Sequence, residues 1–545
     1  MFLILFQDFM ALPLHNIRPA GGGGPDWIRP LWTDFSYFSH QLEGIHWMLQ
    51  KELVGTLVSS KNGDTSTIYG GFQCDDMGLG KTIQITSVIV NHIRSYTLVI
   101  APIAMIQTWS AILQKVGCAV YEVNTKLDDP WVLMNPNSPV PRHFIKCRPS
   151  VYISNYEKLY FNPSLFTRNW DRVVLDEAHK IRNGDGDIAR YARRLSAPIR
   201  WVVTGTPLVN SLKDIVSLLA FIGVPCSPLW RWEPRFIPIL PLLVLHRSLD
   251  SLRTDIPDAP PSPVIHDMLL PFTTKDEEDF YFGVQGVTSD IPTYSNDFLT
   301  SAQAFKLLLR LRQISVHPQV YINAKRRELS SYDRPDWVLS STKFDAIRNI
   351  LLHDSPHIPS IHIPSIPNNT CHKYIIFCQF NDEIALLRTF LLNEQLVDVD
   401  NILVYTGSMT QAERTAVLTR SKLTTQTTVL LLQLHAGGVG LNLQEYDRIL
   451  FISPWWTSAL IHQAIARAVR IGQTRIVHIF HLQLAAEAAS DTINIDTLIN
   501  DKALYKYDLL KRFFVACEPI PTQTQTQTQT QTPMQIPTPT QIIQH

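Results

Sequence analysis

The sequence predicts an α/β fold of two lobes, each built on a mostly parallel sheet. Two observations carry this. Short apolar, β-branched runs recur at helix-length intervals: TLVIAP (97–102), RVVLDE (172–177) and RWVVTG (200–205), then KYIIFC (373–378), TVLLLQ (428–433), RILFIS (448–453) and RIVHIF (475–480). Runs of this kind are buried on both faces and are joined by crossover helices. The sharpest polar motifs also follow such runs directly, at the carboxyl ends of strands where open α/β sheets gather their chemistry.

A chain of 545 residues can bury two or three cores, and 45% hydrophobic content with 18% charged residues is that of an ordinary globular protein. Forty-eight basic residues balance forty-eight acidic ones. Any grip on nucleic acid must therefore come from a local patch rather than from overall charge. The seven cysteines form no C-x-x-C pair, a pattern that suits neither a zinc site nor a disulfide scaffold and points to a reducing compartment. The apolar start, MFLILFQDFMALPL, is interrupted by Asp8, lacks a preceding basic residue and is too short to span a membrane.

These breaks divide the chain. Residues 1–30, with tetraglycine at 21–24, read as a flexible leading segment. Residues 31–222 form the first lobe, and 223–340 a proline-rich linker with helical protrusions. Residues 341–515 form the second lobe, with a loop in the proline-rich stretch 353–369. Residues 516–545, rich in Thr, Gln and Pro, cannot bury a core and read as disordered.

The strongest motif is DDMGLGKTIQ (75–84). Gly78 and Gly80 allow successive backbone amides to turn around phosphate oxygens, and the following helix offers its positive end. Lys81 then reaches the β- and γ-phosphates of ATP, and Thr82 ligates Mg2+. Asp75 stands where the general pattern has its first glycine. Some 95 residues later, RVVLDEAHKIRN ends a strand in two carboxylates. Asp176 is placed to hold the magnesium shell and Glu177 to orient and deprotonate the attacking water. Alone, each motif could be a glycine turn or an acidic surface turn; in this order they read as a nucleotide site.

With TGTPLVN (204–210), LLLRLRQISVHP (307–318), YIIFCQF (374–380), LHAGGVGLNLQ (434–444), SPWW (453–456) and QAIARAVRIGQT (463–474), the chain resembles the SWI/SNF-like ATPases of the superfamily 2 helicases over residues 35–510. It looks closest to the branch of helicase-like transcription factor and the post-replication-repair translocases. The resemblance implies two RecA-like lobes, DNA-dependent ATP hydrolysis between them and a place in the nucleus. Gln41, in FSHQLEGIHWM, would read the adenine edge, with Phe38 able to stack on the base or simply to pack its helix. Pro102, Thr204, Gly205 and Thr206 would touch the nucleic-acid backbone from the first lobe. Gly437, Asn442 and Trp455 would do so from the second, where Gly438 and Gly440 would face a phosphate. Arg467 and Arg470, three apart on one helical face, would reach across as arginine fingers.

The chain departs from the family pattern at Val209 (usually Gln), at Thr457 and Ser458 (Asn-Pro), at Ala466 (Asp) and at Val469 (His), while VLHRSL (244–249) is only faintly like the family's basic stretch. Loss of the 466 carboxylate is expected to impair coupling through Arg467. Residues 319–372 contain only Cys371, so no RING-type ubiquitin-ligase module is expected there. The leading expectation is an ATP-driven translocase on double-stranded DNA, alone, in nucleosomes or beside other DNA-bound proteins. It would act in repair, transcription or chromatin. The alternatives are a catalytically impaired ATP-binding scaffold and a strand-separating helicase.

Overall fold

In the computed structural model the described residues are 28–59, 63, 65–123, 130–136, 144, 148–227, 229–257, 259–289, 301–353, 371–434, 441–485 and 494–518. They form two α/β lobes. Helix α1 (Ser39–Leu53) precedes a hairpin of β1 (Thr56–Ser59) and β2 (Thr65–Gln73), and α2 (Lys81–Asn91) follows. The lobe continues through β3 (Thr97–Ile100), α3 (Ile106–Lys115), β4 (Ala119–Val123), β5 (Trp131–Leu133), β6 (Ser150–Ser154), β7 (Arg172–Asp176), α4 (Asp187–Arg194), β8 (Ile199–Val203) and α5 (Lys213–Ile222). The strand order is β1-β2-β8-β7-β3-β6-β4-β5, antiparallel only at the two edge pairs. Strand β7 is buried at every position and β8 at all but Arg200, as strands covered by helices on both faces must be. One apolar core lies on each face of the sheet.

The second sheet is wholly parallel, in the order β10-β15-β14-β11-β13-β12. Its members are β10 (Val264–Leu270), β11 (Lys373–Cys378), β12 (Ile402–Tyr405), β13 (Thr428–Gln433), β14 (Arg448–Phe451) and β15 (His478–Leu484). Helices α6 (Lys275–Ser289), α7 (Ser301–Val316), α8 (Pro318–Glu328) and α9 (Thr342–His353) lie between β10 and β11. Helices α10 (Asn381–Asn393), α11 (Gln411–Leu423) and α12 (Ser458–Ile465) follow, and α13 (Ile495–Cys517) ends the described chain.

Two strands fall inside the stretch expected as linker. The short β9 (Val244–Leu245) runs parallel to β2 in the first sheet, and β10 is already the edge of the second. The prolines around them had hidden both. The segment read as RIVHIF begins its strand three residues late, at His478, because Arg475 is turned out to meet Asp447 at 3.1 Å. The leading residues 1–27 and the tail 519–545 lie outside the described residues. No helix among the described residues is long and apolar enough to cross a membrane.

Among the described residues, each lobe contains a fully buried ion pair that ties its layers together. In the first, Glu52 of α1 meets Arg172 of β7, with neither side chain exposed. The Arg172 Nε donates to Glu52 at 2.6 Å and Trp201 Nε1 donates at 2.8 Å. In the second, Lys343 of α9 lies 2.6 Å from Asp496 in the first turn of α13. The same carboxylate accepts from the Leu484 amide at 3.0 Å.

Candidate active site between the lobes

Strands β2, β8 and β7 are neighbours in the first sheet, and Gln73, Val203 and Asp176 stand side by side in register at their carboxyl ends. The phosphate-loop motif, TGTP and DEAH leave the sheet at these three points. Their convergence is thus a property of strand order, which a linear reading does not show.

The loop 74–80 turns through Gly78 (φ 92°) and Gly80 (φ 81°), a left-handed region that side chains disfavour, and Gly80 immediately precedes α2. Lys81 donates to the carbonyls of Asp75 (2.8 Å) and Asp76 (3.2 Å). Thr82 follows in the first turn of α2. A Cβ on Gly205 would lie 3.5 Å from Lys81 Nζ, an ordinary contact distance, so TGTP lies directly against the phosphate-loop lysine. Gln41 packs behind the loop. Its Nε2 donates to the Leu79 carbonyl at 3.4 Å and lies 2.6 Å from where a Cβ at position 80 would sit, so a side chain there would displace the Gln41 amide. Phe38 stacks on His40 at 5.8 Å between ring centroids.

Asp176 is buried and held twice. Trp109 Nε1 donates to its Oδ2 at 2.7 Å, and the Tyr156 hydroxyl donates to its backbone carbonyl at 2.6 Å. Burial, reinforced by the neighbouring Glu177 carboxylate, pushes Asp176 up to about 6, with Trp109 opposing. Glu177 has φ 50°, a strained backbone that swings it away from the strand direction. Burial acts to raise Glu177, but His179, Lys81 and Arg467 outweigh it and hold the group below the usual carboxylate range. The His179 Nδ1 lies 3.4 Å from Glu177 and 3.3 Å from Thr204 Oγ1, so one imidazole joins DEAH to TGTP.

The second lobe brings two arginines to this site. A Cβ on Gly78 would lie 3.4 Å from the Arg470 Cβ. Arg467 interacts electrostatically with Glu177 and Asp176; burial disfavours its charge and Glu177 favours it. The expectation that both arginines ride one helical face is corrected. Helix α12 ends at Ile465, and the amides of Arg467 and Ala468 reach back only three residues, to Ala464 (3.2 Å) and Ile465 (3.0 Å). The arginines project from tight turns that end at Gly472 (φ 96°).

Of the remaining candidates, Pro102 and Thr204 are buried beside the sheet end, and Thr206 is buried with its Oγ1 unpartnered among the described residues. Asn442 is exposed, and Trp455 lies under the Arg312 guanidinium at 4.8 Å. Gly437, Gly438 and Gly440 lie outside the described residues. Residues able to hold ATP and magnesium fit their roles. The glycine turns leave a cradle, the Thr206 hydroxyl has an open valence, and Asp176 with Thr82 is an all-oxygen donor pair of the kind magnesium takes.

Two contributors escaped the motif reading. Trp109, in helix α3, holds the Asp176 carboxylate. Arg247, just after β9, donates through Nε (2.9 Å) and Nη2 (2.5 Å) to the two oxygens of fully buried Asp75. It also donates to the His40 carbonyl and, at 3.2 Å, to Gln84. Gln73 (2.7 Å) and Gln84 (3.0 Å) complete the shell of Asp75. Arg247 thus binds the loop's base to the segment carrying Gln41. The departure of Asp75 from glycine and the VLHRSL arginine are two halves of one ion pair, 172 residues apart.

Residues 40–240 match the SNF2-related domain, and residues 357–472 match the helicase conserved C-terminal domain. A probable global transactivator of Orgyia pseudotsugata multicapsid polyhedrosis virus is 24% identical over 93% of this chain and 100% of its own length. DNA repair protein RAD5 of Yarrowia lipolytica is 23% identical over 83% of this chain, and human TATA-binding protein-associated factor 172 is 25% identical over 76%. This chain spans 57% of the former and 25% of the latter. The Sulfolobus solfataricus SWI2/SNF2 ATPase core solved in complex with dsDNA is 20% identical over 88% of this chain and 94% of its own, with a TM-score of 0.35.

Proposed function

Because this chain belongs to the SNF2-related helicase-like ATPases, we propose that it is a DNA-dependent ATPase that moves along double-stranded DNA. The observation that supports this reading best is the split site: Lys81, Asp176 and Glu177 come from one lobe, while Arg467 and Arg470 come from the other and meet them in the cleft.

Hydrolysis by such a site depends on lobe closure. Lys81 exchanges its carbonyl partners for phosphate oxygens, and the amides of the glycine loop orient the same group. Asp176 and Thr82 would hold magnesium, which would supply charge neutralisation at the phosphates when bound. Glu177, kept ionised by His179 and Arg467, positions a water and accepts its proton. Arg467 and Arg470 supply fixed positive charge where negative charge develops, and do so only with the lobes together. Trp109 and Arg247 keep Asp176 and the loop base in place.

Movement follows if each lobe holds the same DNA strand, the second through Gly437, Asn442 and Trp455 and the first through Pro102, Thr204, Gly205 and Thr206, which are buried in this arrangement and would meet DNA only once the lobes move apart. Backbone contacts of this kind carry no base sequence, so little sequence preference is expected. Relatives named for DNA repair and transcription support a role in those processes or in chromatin, within the nucleus.

The test is steady-state ATP hydrolysis with duplex DNA, single-stranded DNA, RNA or none, with Glu177→Gln as the blank. Duplex stimulation that vanishes in the variant is expected. Turnover equal to the blank under every condition, with ATP still bound, would overturn the reading in favour of an ATP-binding scaffold. Unwinding of a tailed duplex would replace translocation by strand separation.

A further inference from the structure

Helix α13 belongs by sequence to the second lobe but is anchored in both. Its first turn is fixed by the Lys343–Asp496 ion pair, and Ile495 and Ile499 pack with the helices of the second lobe. Its last turns enter the first lobe: Leu510, Phe513 and Cys517 share a core cluster with Leu240 and Leu243. Phe514 stacks on His246 at 3.5 Å. At 23 residues the helix is about 34 Å long, enough to reach from one lobe to the other.

At its middle stands Lys506. One ammonium donates to Asn210 Oδ1 of the first lobe (3.0 Å) and to the Trp456 carbonyl of the second (3.0 Å). Neither partner is incidental. Asn210 lies on the loop that continues TGTP, and Asp214 Oδ2 holds that loop by accepting from the amides of Val209 (2.9 Å) and Asn210 (2.6 Å). The other end of the loop, Gly205, faces Lys81. Trp456 follows Trp455 in the segment after β14, whose Ser453 accepts from Lys343 at 3.1 Å. Partial burial holds the Lys506 ammonium below the usual lysine range, with the Asp214 charge opposing and Arg182 and Lys502 adding to the shift. An ammonium offers three donors on a compact head, so it can hold two acceptors from different elements at once.

We propose that Lys506 is a positioning residue that bolts the TGTP loop of the first lobe to the Trp455–Trp456 segment of the second. Occupancy of the nucleotide site is thereby transmitted to the second lobe. The link rests on the ATPase reading above only for its consequence; the transmission itself is a property of the two Lys506 contacts and of the Gly205 approach to Lys81.

The experiment compares the full-length protein with Lys506→Met, which keeps the stem and loses the donors, and with Lys506→Arg, which restores donors. Backbone hydrogen exchange at 455–457 is followed with and without a non-hydrolysable ATP analogue, and ATP turnover with and without duplex DNA. Circular dichroism and melting temperature confirm that each variant is folded. In the wild type, bound analogue should slow exchange at 455–457. Lys506→Met should lose that response while binding the analogue with unchanged affinity, and Lys506→Arg should regain most of it. Duplex-stimulated kcat should fall at least fivefold in Lys506→Met, with KM for ATP unchanged. If Lys506→Met keeps the analogue-dependent slowing, or if the wild type shows none, the bolt is refuted whatever DNA does to turnover. If the slowing behaves as expected but DNA never stimulates the wild type, the translocase reading fails and the bolt stands.

Discussion

Replacing Arg247 with alanine should loosen the phosphate loop far more than an ordinary surface change would. Its partner Asp75 has no exposed side-chain surface, and Arg247 itself is only 14% exposed, so the charge left behind cannot be taken up by water. Removing one partner of such a pair costs about 3–5 kcal/mol. Gln73 and Gln84 still donate to Asp75, which places the expectation at the lower end, about 3 kcal/mol. For a lobe of this size that is a fall in melting temperature of roughly 6–12 °C. Urea unfolding followed by tryptophan fluorescence would read the loss directly, and ATP titration should show a raised KM because Lys81 hangs on the Asp75 carbonyl. Asp75→Asn in the same background should recover part of the loss, because the stranded charge is gone. A cost below about 1 kcal/mol for Arg247→Ala, or strict additivity of the two changes, would refute the account.

Three further outcomes are expected. Ala466→Asp should raise duplex-stimulated turnover several-fold by fixing the turn that carries Arg467; unchanged turnover would mean the turn is already held without it. Burial alone would raise Glu52, but the Arg172 charge and the His92 and Trp201 hydrogen bonds bring it to about 2. Its stabilisation is present above the unfolded value and lost as pH falls from about 4.5 towards 2, so urea midpoints of Glu52→Gln should lose that acid slope and lie lower at neutral pH. Glu383 behaves oppositely. Burial lifts it to about 7, so the folded state holds a proton that the unfolded state has released, and stability falls as pH rises from about 4.5 through 7. Glu383→Gln should flatten that slope and gain stability at pH 8, and a steeper slope would overturn the assignment.

Much of this architecture was legible in the chain. KYIIFC and TVLLLQ are strands over the residues read, because a continuous apolar run bounded by turn residues has few other stable uses. Strands β9 and β10 were not legible. Two residues carry no periodicity, and β10 reads V-I-H-D-M-L-L behind a proline cluster, with His and Asp on an edge where water reaches them. The glycines, lysine and paired carboxylates of the site were readable because phosphate chemistry dictates residue type and spacing together. Arg247 and Lys506 were not, since each works through a partner far along the chain: Asp75 for the first, Asn210 and Trp456 for the second. The turn at Arg467 was missed because Gln463 to Val469 contains no helix breaker; only Gly472 marks the end, and it comes late.

Among the described residues, the chain passes between the two lobes twice, once through the eighteen residues 246–263 that separate β9 from β10 and once through α13. A body hung from another at a single point can swivel in any direction. Hung at two separated points, it keeps essentially one freedom, rotation about the line that joins them. Thermal energy and the energy of hydrolysis then feed the same axis rather than being spread over tumbling of one lobe against the other. Cutting the 246–263 crossing with a site-specific protease would leave both lobes attached through α13, yet would convert a door on two hinges into a pendulum.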